Sequence, residues 1–95
     1  MTRHPHAILN AVIAETGISL AEIVDTRSSR TRAVGNARMI ACSTMREWSE
    51  CTFDTISRYV GMSEVAACYA FHRWMRRPQE YRMEWRVRVA RRLER

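Results

Sequence analysis

"RYVGMSEVAACYAF", residues 58–71, decides how the chain is read. Gly61 closes an apolar-periodic segment, and glycine accepts the left-handed conformation in which helices commonly end. Ser63, two residues on, is a natural N-cap for the next helix. A short helix, a tight turn holding Gly and a longer second helix make the pattern of a helix-turn-helix. A helical hairpin in any bundle has the same pattern. The positions that open the second helix, where a DNA reader places its base contacts, are Glu64, Val65 and Ala66. An acid and two apolar residues offer few hydrogen bonds to base edges.

Working outward, every segment carries helical periodicity, and no alternating strand pattern or internal repeat is present. Ile8, Leu9, Val12 and Ile13 make the apolar face of a first helix that stops at Gly17. Ser19 and Glu22 form a capping box with Ile18 as staple, opening a short second helix with Ile23 and Val24 inward. The basic loop "DTRSSRTRAVGN" leads into a third helix over about 33–49, with an inward stripe of Ala37, Ile40, Ala41, Thr44, Met45 and Trp48. Thr52 caps a fourth helix burying Phe53, Ile56 and Val60, and Ser63 a fifth burying Ala67, Ala70, Phe71 and Trp74. Pro78 suits the first turn of a sixth, where Tyr81, Trp85, Val89 and Leu93 recur every four residues. The expectation is an all-α, compact six-helix domain over residues 7–95, preceded by a flexible N-terminus over residues 1–6.

The 95 residues are enough for one modest core, and 46% hydrophobic with 27% charged residues is a globular composition. No apolar run has the length of a membrane span and "MTRHPHAIL" lacks a signal-peptide core, so a cytoplasmic protein with no membrane partner is expected. Cys42, Cys51 and Cys68 have no metal-site spacing and an odd count, and are read as reduced core residues. The net charge of +6 is segregated: residues 1–26 carry −2, 27–46 carry +5, 47–72 carry −3 and 73–95 carry +6. All sixteen basic residues are Arg, whose planar fork suits phosphate and guanine edges. An Arg-rich genome accounts equally for that choice; the segregation is the stronger clue.

Three constellations carry the functional reading. The helix–turn–helix spans Thr52 to Arg76. The loop around Arg27, Arg30 and Arg32 places Arg among hydroxyl residues, a composition for phosphate contact or for one Arg in a narrow minor groove, or simply for a solvated loop. The last segment, "RRPQEYRMEWRVRVARRLER", is a basic amphipathic helix whose apolar stripe closes the core or whose face meets DNA, membrane or an acidic partner. No phosphate loop, HExxH or His–carboxylate–nucleophile set appears, so no enzyme and no cofactor is expected.

In order, "GISLAEIVD", the basic loop, "ARMIACSTMREW" and "TFDTISRYVG" with its following helix resemble the C-terminal DNA-binding domain (domain IV) of DnaA, the bacterial replication initiator. The similarity runs from about Ala7 to Leu93, best at Gly17, Ile18, Ser19, Ile23, Arg38, Ile40, Ala41, Arg46, Glu47, Ile56 and Gly61. The resemblance implies a Trp-repressor-like domain, free-standing here, that binds double-stranded DNA through the helix-turn-helix with Arg30 or Arg32 in the minor groove and Arg38 near phosphate. The family's Asp-His-Ser/Thr-Thr signature falls on Glu64, Val65, Ala66 and Ala67, keeping only the acid in kind. Specificity altered from the usual initiator box follows, with reliance on Arg–phosphate contacts and DNA shape.

The reading is therefore a small DNA-binding regulator of replication initiation or transcription. Its interface residues are Arg27, Arg30, Arg32, Arg38, Ser63, Glu64, Val65, Ala66, Tyr69 and Arg73, with Arg76 and Arg77 as further phosphate contacts. The competing reading is an adaptor that keeps the fold, has lost base readout and binds a protein partner of the replication or transcription machinery through Met62, Val65 and Tyr69.

Overall fold

A computed structural model of the chain describes residues 3–24 and 31–94. Six helices are present among them: α1 (Pro5–Thr16), α2 (Leu20–Val24), α3 (Arg32–Trp48), α4 (Phe53–Val60), α5 (Glu64–Met75) and α6 (Gln79–Leu93). No described residue is in a strand. They fill a globule of 33 × 24 × 24 Å with a radius of gyration of 11.9 Å. No described helix is long and apolar enough to cross a membrane.

The helix boundaries follow local chemistry. Gly17 ends α1 at φ 74° and donates its N–H to Ile13 C=O at 2.9 Å. The Ser19 hydroxyl accepts from Glu22 N–H at 3.2 Å while the Glu22 carboxylate reaches back toward Ser19 N–H and takes its hydroxyl at 3.0 Å, the expected capping box. Thr31, Thr52 and Ser63 cap α3, α4 and α5 through their hydroxyls. Two boundaries move. α1 starts at Pro5, ahead of Ala7, because His4 Nδ1 accepts from His6 N–H and Arg3 N–H donates to Trp48 C=O at 2.9 Å. Residues 3–6 thus belong to the folded unit. Pro78 flanks α6 at its N-cap position, one residue before the first turn.

α3 is the axis of the fold. Every residue from Met39 to Met45 is buried, so the helix is enclosed rather than packed along the single stripe its periodicity suggested. Small residues make this possible: Ala41, Cys42, Ser43 and Thr44 let neighbouring helices approach closely. The two hydroxyls enter the core without an unmet hydrogen bond, because both donate to Ile40 C=O, at 3.1 Å from Ser43 and 2.7 Å from Thr44. Burial pushes the Cys42 thiol up to about 12, against a smaller opposing effect of the Arg38 charge, so it stays protonated and unreactive.

α1, α4 and α5 pack against α3, and α6 packs on α1. Ile8, Val12, Ile23, Ile40, Met45, Ile56, Val60 and Val89 are fully buried where these helices meet. Trp74 and Tyr81 join α5 to α6 with ring centroids 5.7 Å apart. Glu15 on α1 holds α6 through Arg88 Nε at 2.7 Å and Arg92 Nε at 2.8 Å. Arg46 spans the α3–α4 turn, donating to Cys51 C=O at 2.8 Å and lying over the Phe53 ring at 4.8 Å. Glu50, in that turn, takes the left-handed conformation at φ 55° without being glycine.

Candidate nucleic-acid interface

The α4–turn–α5 unit is fixed on one side by Gly61. Its N–H caps α4 at Ser57 C=O, Met62 N–H reaches the same carbonyl at 3.2 Å, and its φ of 67° is left-handed. The opening of α5 is therefore placed by the turn and not by its own side chains. Ser63 caps it, accepting from Ala66 N–H at 3.1 Å. Glu64 occupies the first helical position, where its charge complements the helix dipole, and is exposed.

From there an exposed stripe runs down α5. Val65 is 79% exposed and Tyr69 60%, one turn apart. Arg73 follows one turn further, its guanidinium 5.8 Å from the Tyr69 ring centroid. Ala66 lies exposed beside the stripe. Met62 differs from expectation: it is half-buried and packs against the core, so the apolar surface here consists of Val65 and Tyr69.

At Arg73 the stripe reaches a cleft of about 460 Å³ between the amino end of α3 and the carboxyl end of α5, lined by Thr31, Arg32, Gly35, Asn36, Arg73 and Arg77 together with Met39. Among the described residues, three Arg line it and no acid does. Arg77 donates to Asn36 Oδ1 at 3.4 Å, and Asn36 in turn donates to Tyr81 OH at 3.2 Å, so part of the wall is held by a chain of side chains.

Arg32 is the informative residue. It is the first residue of α3, exposed, and no acid lies in that first turn. A cation there opposes the helix macrodipole, which costs about 0.3–1 kcal/mol. The position thus carries the wrong charge for folding and the right one for an anion, since the backbone N–H groups of a helix start also favour negative charge.

Of the other expected residues, Arg27 and Arg30 lie outside the described residues. Arg38 is half-buried in the fold: Nε donates to Ile23 C=O at 2.7 Å and Nη2 to Glu22 C=O at 3.1 Å. It closes the carboxyl end of α2, whose last carbonyls have no partner within so short a helix. Asn36 and Gly35 escaped the sequence reading; the signal available was that Asn36 stands one turn after Arg32. No protein-family model, curated protein or solved structure matches the chain.

Proposed function

We propose that the chain binds double-stranded DNA, with α5 presented to the major groove and the α3–α5 cleft seated on the phosphate backbone. The observation that carries this reading is Arg32 set against its own helix dipole in a cleft shared with Arg73 and Arg77. Three guanidiniums without an acid between them repel one another, and a phosphate oxygen relieves that repulsion. The Val65–Tyr69 stripe leads into the same cleft, which matches a helix whose side chains meet base edges while its far end meets phosphate.

Such an α5 reads sequence sparsely. Val65 and Ala66 suit thymine methyls and Glu64 a cytosine amino group, and none forms the bidentate pairs that discriminate strongly. The resemblance of the sequence to the DnaA C-terminal domain supports duplex DNA as the ligand and a Trp-repressor-like arrangement of the reader. A protein of this kind, occupying sites on duplex DNA, acts in control of replication initiation or of transcription.

The test is fluorescence anisotropy with an initiator-type duplex and a scrambled one, titrated with salt. Contact with about six phosphates gives a log–log slope of roughly −5. Affinity that is insensitive to salt, or no binding at low salt, overturns the reading in favour of a protein partner at Val65 and Tyr69.

A further inference from the structure

A second surface lies along α6 and adjoins this cleft where Arg82 meets Arg77. A groove of about 470 Å³ runs along α6 beside the carboxyl end of α3, formed by Trp48, Met83, Val87 and Ala90 with Arg82 and Arg86 at its rim. Met83 is 53% exposed and Val87 47%, one turn apart on a helix that buries Val89 in the core. Trp48 and Arg32 terminate opposite ends of α3, about 24 Å apart along its axis. The Trp48 end of the groove is therefore distant from Arg32, while its Arg82 end adjoins Arg77.

The groove's own charges select among occupants. No acid among the described residues lines it, and both rim cations are held in place by the fold. Arg82 Nε donates to Arg77 C=O at 2.9 Å, and Arg86 pairs with Glu47 at 3.0 Å while lying 5.7 Å from the Trp48 ring centroid. Each guanidinium has five N–H donors and spends few of them on these contacts. A flat anionic membrane fits badly, since it would cover Glu80 and Glu84 beyond Met83 and Val87 as well as Arg82 and Arg86, whereas a single helix in the groove meets the arginine side. We infer that the groove docks an acidic amphipathic helix of another protein, its apolar residues over Met83 and Val87 and its carboxylates on Arg82 and Arg86. This is the helix-in-groove mode, with charge fixing direction and partner choice.

The experiment uses the full chain labelled with ¹⁵N and three helical peptides. One has leucines one turn apart flanked by glutamates, the second has lysines for the glutamates, and the third has the first peptide's composition scrambled. Shifts confined to Trp48 and α6, with the glutamate peptide at least tenfold tighter than the other two, are the expected result. Met83→Ser and Val87→Ser, neutral changes on exposed side chains, should each weaken the binding at least tenfold while thermal melting and DNA affinity stay unchanged. Equal binding of the lysine peptide, shifts centred elsewhere, or no binding at millimolar peptide overturns the inference. Concentration-dependent shifts of the same residues without peptide replace it with self-association. Tighter binding to phosphatidylserine vesicles than to the glutamate peptide replaces it with a membrane surface.

Discussion

Gly61 approaches Val24 so closely that a Cβ built on it lies 2.7 Å from the Val24 Cβ and 3.2 Å from its Cα. The turn between α4 and α5 therefore rests on the backbone of α2, with no flexible side-chain end to yield. Gly61→Ala meets two penalties, the left-handed φ and this contact, and should destabilise the fold by about 2–3 kcal/mol. Urea unfolding measures it; a loss below about 0.5 kcal/mol means the turn is free to move away from α2.

Arg32→Glu should separate folding from binding. Stability rises by about 0.5 kcal/mol as the charge comes into accord with the α3 dipole. DNA affinity falls at least tenfold, and the salt slope flattens by about one unit or more. Melts and anisotropy on the same protein preparation check both arms, and an unchanged affinity removes Arg32 from the interface.

Gly35 gives a steric counterpart. It stands within α3, lines the cleft, and has open space where a Cβ would be. Gly35→Ala should stabilise the helix by about 0.5–1 kcal/mol. The added methyl also narrows the cleft, so affinity for every duplex should fall together, without a change in sequence preference. A stabilised variant with full affinity would place the phosphate elsewhere.

Glu15 ties α1 to α6 and predicts an acid limb. Hydrogen bonds from Arg92 and then Arg88 hold its carboxyl below the usual value of 4.5, outweighing the opposing effect of burial. A carboxylate with a depressed folded-state pKa stabilises fully above its unfolded value, and the contribution disappears as pH falls through the folded value. Glu15→Gln should therefore melt earlier at pH 7, and its deficit should shrink as pH drops below about 4.5. Melting temperatures across pH 2–8 for both proteins test this; parallel curves would mean that the pairing contributes nothing.

The features legible in the sequence are those that act within a few residues. Gly17, the Ser19–Glu22 box, Thr52, Gly61 and Ser63 punctuate the helices as read, because a cap involves only its own turn. The inward faces of α4, α5 and α6 follow in part for a related reason, a period visible along one segment: Ile56, Val60, Ala67, Trp74 and Val89 are buried, while Phe53, Ala70 and Phe71, expected with them, are half-buried. What escaped depends on chain brought together from afar. Arg38 reaches the α2 carbonyls across fifteen residues and Arg77 reaches Asn36 across forty-one, and neither pairing leaves a local pattern. The full enclosure of α3 escaped similarly, since Ser43 looks polar until the Ile40 carbonyl is seen to satisfy it. In the candidate site, the α5 stripe was legible and the cleft that completes it was not.

The pairing of α6 has a kinetic consequence. Arg86 is matched by Glu47, and Arg88 and Arg92 share Glu15, whereas Arg32, Arg73 and Arg77 have no acid partner among the described residues. Part of the uncompensated charge thus sits at the cleft and adds a local field to the molecule's net charge. A polyanion at a distance turns such a molecule before touching it, so more encounters begin with α5 facing inward. Orientation is then largely settled in the approach, and association proceeds faster than a random collision of the same two surfaces allows.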